Sequence, residues 1–349
     1  MLIHGFFASM VLLAVFVRRH QVFFVLTALC LFLFAALRYG FGNDYFSYYR
    51  CFLEIQKMGE NPFGSEWIFT AFNRIAPHYY WLVAFSSLAF IASVWMLIRK
   101  GVPEQWIWVA VAIFLINPYL FLVNLSAMRQ SLALVCFMCA VPFACKRKPL
   151  PYCLLILTAC GFHNSAIVLF PAYFVANMRC VSRRATIIIA LLTIGLLILG
   201  HYLYQTITAS LALLQLTQYQ YVLLNNLHNS LRATLLSSVT FVYLLWNMPR
   251  LRGNTLVYAK LWLVGSMFSV LAYRMSMLTR LQMYFDIFSI VAFPRMLART
   301  YRDEKWKEVL NRYLFPALIL LILVLRYYSF FHNPMWESFH TYQTILTAP

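Results

Sequence analysis

The stretch "VFFVLTALCLFLFAALRYGFGNDYFSYYRCF", residues 22–52, decides how the chain is read. Through Leu37 it carries no charge, and such a run approaches the roughly 20 residues that cross hydrocarbon as a helix. From Arg38 onward it turns at once to arginine, two glycines, an aspartate and a cluster of aromatic rings. Runs like its first half recur along the chain. The 349 residues are 63% hydrophobic and 11% charged, whereas a soluble domain carries about 25% charged residues. This composition cannot cover a soluble surface, and no hydrophilic segment is long enough to be a domain of its own. The chain therefore reads as an all-α polytopic membrane protein, a single transmembrane domain over 1–349 without a separate soluble domain.

The apolar runs predict about twelve transmembrane helices, near 2–17, 21–37, 79–98, 105–123, 126–145, 150–162, 164–178, 185–204, 232–248, 255–273, 280–298 and 313–330. The short pair 150–162 and 164–178 also reads as one broken or re-entrant element. Between the spans lie a loop over 38–78, a loop over 205–231 and a basic loop over 299–312. Within the first of these, "EWIFTAFNRIA", 66–76, has the pattern of an amphipathic helix lying on a membrane surface. Arg18-Arg19-His20 follows the first run with no small-residue cleavage site, so that run reads as a first span and not a removed signal peptide.

The net charge of +18 is explained by the positive-inside rule, which leaves no role for nucleic acid. Eighteen of the 28 lysines and arginines fall on one set of alternate loops, which marks that side as cytoplasmic. Nine fall on the other side, and eight of those are arginine: Arg38, Arg50, Arg74, Arg129, Arg232, Arg274, Arg280 and Arg326. A guanidinium at a span mouth is costly to bury and seeks an anion. Its planar fork takes phosphate oxygens bidentately, which a lysine cannot do. The set points to a lipid phosphate or diphosphate ligand. Snorkelling to headgroups is the alternative for any single member.

Chemistry-bearing residues gather on that same outer side. Gly40 and Gly42 allow a sharp turn in front of Asp44, and Tyr45 and Tyr48 follow. A carboxylate beside aromatic faces suits a sugar, whose CH groups stack on rings and whose hydroxyls bond to carboxylates. Arg129-Gln130 opens the span near 126–145, with Ser126 and Ala133 expected on nearly the same helical face. His163-Asn164-Ser165 sits at an outer hairpin, where a neutral imidazole accepts a proton from a sugar hydroxyl. Arg274, Arg280 and Tyr284 repeat the pattern of arginine at a span mouth. Asp286 lies within that span and is a further candidate for pairing there. Cys136 and Cys139 mimic a metal pair, but no second pair or nearby histidine completes a zinc site. The sequence shows no P-loop, no H-E-x-x-H and no dinucleotide fingerprint.

Taken in order, Arg38…Gly42-Asn43-Asp44-Tyr45…Tyr48, then Glu66, Arg129-Gln130 with Ala133, His163-Asn164-Ser165-Ala166 and Arg280…Tyr284-Phe285 resemble the EpsG-type branch of the Wzy polysaccharide polymerases. The resemblance spans nearly the whole chain, except for 205–235 and the C-terminal tail. It implies a glycosyltransferase of GT-C-like architecture in the bacterial inner membrane, with its active site facing the periplasm. Donor and acceptor would both be undecaprenyl-diphosphate-linked oligosaccharide, for O-antigen or exopolysaccharide synthesis. No cofactor or metal is implied, because the donor is already activated. Membrane lipids and a chain-length regulator protein would be partners. On this reading Asp44, His163, Arg129 and Arg280 are catalytic, with Asp44 and His163 both open as the base. Arg38, Tyr45, Tyr48, Glu66, Gln130, Ser165, Arg232, Arg274 and Tyr284 would bind substrate. An O-antigen ligase-like enzyme and a flippase or transporter of the lipid-linked unit are the alternatives.

Overall fold

A computed structural model describes residues 2–16, 21–59, 61, 62, 64, 66–179, 181–213, 231–275, 277–299 and 309–347. The described chain is helical apart from one two-residue strand pair. Among the described residues, four helices are long and apolar enough to cross a membrane: Tyr79–Gly101, Met128–Cys145, Arg183–Gly200 and Gly253–Leu271. The remaining apolar helices are shorter, and each of the expected spans has at least one helix within it.

The chain divides into two compact units, Met1–Asn177 with Phe293–Tyr301 and Leu320–Pro349, and Met178–Ala292 with Arg302–Ile319. In the first unit the chain runs through α1 (Leu2–Phe16), α2 (Gln21–Ala36), α3 (Tyr45–Met58), α4 (Trp67–Ile75), α5 (Tyr79–Gly101), α6 (Ile107–Ile116), α7 (Leu122–Ser126), α8 (Met128–Cys145), α9 (Pro149–Phe162) and α10 (Ala172–Asn177). Helix α5 packs on α2 and α8, α8 on α9, and α1 on α6. These contacts bury predominantly apolar helices whose charges, Arg99 and Lys100 of α5 and Arg129 of α8, lie at their ends, as expected inside a membrane bundle.

Several expected boundaries are corrected. The segment 38–78 is not a loop with one helix but carries two, α3 and α4. Tyr45, Tyr48, Phe52 and Ile55 recur at helical spacing and form one buried face of α3. That face joins Phe69 of α4, Tyr79, Leu82 and Val83 of α5, and Met128 and Leu132 of α8 in one core cluster. The span expected over 105–123 breaks at Asn117-Pro118, since proline cannot donate to the helix ladder. Ser126 closes α7 and does not share a helix with Arg129, because Ala127 leaves helical geometry at φ −82°, ψ 61°.

The C-terminal tail returns to the start of this unit. A 3-10 turn over Pro334–Phe339 leads to strand β2 (Gln343–Thr344), which pairs antiparallel with β1 (Arg38–Tyr39). The ring of Tyr342 stacks on Phe34 at 4.4 Å, and its hydroxyl donates to the Phe34 carbonyl at 2.7 Å.

The second unit holds α11 (Arg183–Leu213), α12 (Leu231–Asn247), α13 (Gly253–Leu271) and α14 (Leu278–Asp286). Helix α13 packs on α11, α12 and α14. Helix α11 runs on to Leu213, so 205–213 is helix and not loop. The rest of the expected loop 205–231, up to residue 230, lies outside the described residues. So does most of the expected basic loop 299–312, whose last part is a π-helical turn over Leu310–Leu314. The span expected over 280–298 is interrupted after Asp286, and helix α15 (Ser289–Leu297) resumes beyond it. Helix α16 (Phe315–Phe331) precedes the tail.

Candidate active site

The site is organised by Glu66. It occupies the position just before α4 and is 2% exposed. A carboxylate buried that deeply needs charged partners and full hydrogen bonding. It has both. Arg129 Nη1 donates to Oε2 at 2.6 Å, and His163 Nδ1 lies 2.7 Å from Oε1. The backbone N–H of Asn164 adds a third contact to Oε1 at 3.3 Å. Burial opposes ionisation of Glu66, but the hydrogen bond to His163 and the charge of Arg129 outweigh it, so its pKa falls below the ordinary carboxylate value.

Local structure delivers each partner. Arg129 is the second residue of α8, which starts afresh after the Ala127 break and so points a new helix end at α4. His163 follows the last residue of α9 in extended backbone (φ −155°, ψ 118°), and a 3-10 turn over Asn164–Leu169 begins directly after it. Helices α4 and α9 approach closely because Gly161 has no side chain. A Cβ there would stand 2.5 Å from Ile68 Cγ1. Ile68 lies two residues beyond Glu66, and Gly161 two residues before His163.

Tyr48 extends the cluster. Arg129 Nε donates to its hydroxyl at 3.5 Å, and the guanidinium sits 5.7 Å from the ring centroid. Burial raises the Tyr48 pKa, so the phenol stays protonated. One turn earlier, Asp44 precedes α3, and its carbonyl accepts from Tyr48 N at 2.9 Å. The Asp44 side chain is exposed, with Ser126 Oγ 3.5 Å from Oδ2, and Ser126 Oγ also accepts from Asp44 N at 3.1 Å. Gly42 makes that approach possible. Its φ is +106°, and a Cβ there would meet Ser126 Cβ at 3.2 Å.

The sequence-derived candidates thus separate. Glu66, Arg129, His163 and Tyr48 come together, and Asp44 stands one turn along α3 from them. Three candidates expected at an open surface are buried. Arg38 is not at an open mouth but 2% exposed, donating to the carbonyls of Ala35 and Leu125 and to Ser87 Oγ. Neutral oxygens at the ends of α2 and α7 and on α5 take its Nη1 and Nη2 where an anion was expected, while its Nε is buried without a hydrogen-bond partner. Tyr45 and Tyr48 do not offer open faces to sugar, since both are buried on the inner face of α3. Tyr45 packs edge-on against Tyr79 at 5.3 Å. Gln130 is buried beside Arg129 in sequence, and Ser165 is half-buried in the turn after His163.

The remaining candidates belong to the second unit. Arg232 and Arg280 are exposed near the starts of α12 and α14. Arg274 donates to the Leu197 carbonyl at 3.2 Å and lies over the Tyr273 ring. Tyr284, expected to meet substrate, is fully buried. Gln282, one turn earlier on α14, donates to Asp286 Oδ2. Sequence reasoning assigns Glu66 to substrate binding, just ahead of a helix, and does not make it the hub of a cluster. Its hub role depends on α4 and α9 meeting, and Gly161 near the end of an apolar run was the available signal.

A model of the EpsG family matches residues 21–344. No curated protein and no solved structure matches the chain. The match runs from the first residue of α2 to the last residue of β2, so it takes in both units and the tail that closes on Arg38–Tyr39, and the chain belongs to the EpsG family.

Proposed function

We propose that this membrane protein is a polysaccharide polymerase that joins undecaprenyl-diphosphate-linked oligosaccharide repeat units on the periplasmic face of the bacterial inner membrane. The observation that carries the reading is the 2.7 Å contact between His163 Nδ1 and the buried Glu66 carboxylate. A carboxylate at Nδ1 fixes the tautomer with the proton on that nitrogen, which leaves the lone pair on Nε2. It also stabilises the imidazolium that forms when Nε2 takes a proton. His163 is then the general base, and Asp44 orients the acceptor sugar from the exposed end of α3.

The step is a displacement. Nε2 takes the proton of the acceptor hydroxyl, whose oxygen bonds to the anomeric carbon of the growing chain. The bond from that carbon to the phosphate oxygen breaks, and the lipid diphosphate leaves with the electron pair. Attack from the opposite face inverts the anomeric centre. Arg129, held by Glu66 through Nη1, brings its fixed positive charge to the diphosphate charge that develops. The same phosphate chemistry is proposed for the exposed Arg280 on the second unit.

Reconstitution of the purified protein in liposomes with a lipid-linked repeat tests this. A ladder of products differing by one repeat is expected. Transfer of glycan to a different lipid without a ladder would make the protein a ligase. Movement of the lipid across the bilayer with no new glycosidic bond would make it a transporter.

A further inference from the structure

The tail, which carries none of the motifs on which the resemblance was read, closes over the turn that carries Asp44. Gly42 N donates to the Ser338 carbonyl at 3.3 Å, and Asn43 Nδ2 donates to the Met335 carbonyl at 3.0 Å. Ser338 Oγ donates to Asn43 Oδ1, so the Asn43 amide uses both ends of its side chain on the tail. Asn333 shapes the tail for this by accepting from Met335 N at 3.0 Å. Phe41, between the two glycines, is fully buried against Phe339 at 5.1 Å and Tyr342 at 5.4 Å. Beyond it, Ile345 N donates to the Leu37 carbonyl at 2.9 Å.

The turn is therefore gripped from two directions. The tail holds Gly42 and Asn43 on one flank, and Ser126 of α7 holds the Asp44 backbone on the other. Gly40 and Gly42 both have positive φ, and such a turn is mobile unless its neighbours fix it. Asn43 itself is exposed, so burial does not explain its contacts.

We propose that Asn43 and Ser338 are positioning residues, through which the C-terminal tail holds Asp44 in place for the acceptor sugar. The proposal rests on the polymerase reading. Its structural half, a turn locked by the tail, is independent of that reading.

Hydrogen exchange and turnover, measured on the same purified full-length variants, separate the two halves. Asn43→Ala is expected to speed exchange across 39–46 and to cut polymer formation by about 10- to 100-fold, the scale of a misplaced contact. Ser338→Ala should move both readouts in the same direction, while Ser338→Thr keeps the hydroxyl and restores both. Asp44→Asn should lose turnover with exchange unchanged, which distinguishes a missing group from a mobile turn. Unchanged exchange in Asn43→Ala and Ser338→Ala overturns the clamp. Faster exchange with full turnover overturns its role in positioning. If the wild-type protein makes no polymer at all, the polymerase reading fails and the positioning role falls with it, while exchange still decides the clamp.

Discussion

Glu66 is the residue on which the site depends. Alone, a carboxylate at 2% exposure would be forced towards its neutral form. With Arg129 and His163 in contact, the charged form is favoured. A folded-state pKa below the unfolded value means the cluster contributes stability above the unfolded carboxylate range and loses it as pH falls through the lower folded value. The thermal midpoint of the wild-type protein should therefore drop on acidification below about pH 4.5, the ordinary value for Glu. Glu66→Gln should be less stable at neutral pH and show a flatter acid limb. Removing one partner of a buried pair costs about 3–5 kcal/mol, and the low end applies because Arg129 keeps 17% exposure. Parallel acid limbs in the two proteins would show that Glu66 is not charged in the fold. The sequence named every member of this cluster separately. It could not join them, because Glu66 and His163 are 97 residues apart and meet only through the packing of α4 on α9.

At the scale of elements, the close approach of α4 and α9 sets the geometry, and Gly161 permits it. Gly161→Ala adds one carbon 2.5 Å from Ile68 Cγ1, an atom near the backbone that has little room to yield. Overpacking of this kind costs about 1–3 kcal/mol, while replacing glycine by alanine in a helix returns at most about 1 kcal/mol. The clash should win. Thermal unfolding is expected to show a destabilised variant, and polymer formation should fall further than stability does, because the shift separates Glu66 from His163. A more stable variant would mean the two helices are not in tight contact. Element reading from sequence succeeded where runs were long and uniformly apolar, as in α5, α8 and α13. It missed α3, where aromatic and charged residues masked a helical period already visible in Tyr45, Tyr48, Phe52 and Ile55. It ran through the breaks at Asn117-Pro118 and after Asp286, because hydropathy alone does not register backbone geometry. It left the tail blank because β2 is two residues long and is ordered by its partner β1.

For the whole molecule, the family match and the apolar helices make this an EpsG-family membrane protein, and the proposed chemistry requires its cluster to face the periplasm. The unequal division of basic residues between alternate loops motivates that sidedness. In a cysteine-free background, single cysteines at positions 44 and 163 should react with a membrane-impermeant reagent added from outside, and one at 147 should not. Reaction at 147 with protection at 44 and 163 would invert the scheme. Arg232, Arg274 and Arg280 lie in the second unit, so a phosphate-binding role for them is a property of that unit to be tested on its own variants.

The proposed chemistry turns on His163, held by Glu66, taking the proton of the acceptor hydroxyl. Its most direct test is polymer formation by reconstituted His163→Ala protein, with and without added imidazole, at matched folded yield. A loss of about a hundredfold or more is expected, with a partial recovery that rises with imidazole concentration, since free imidazole can enter the space left by the ring and take the same proton. Normal product ladders from His163→Ala without imidazole would contradict it and return the role of base to Asp44.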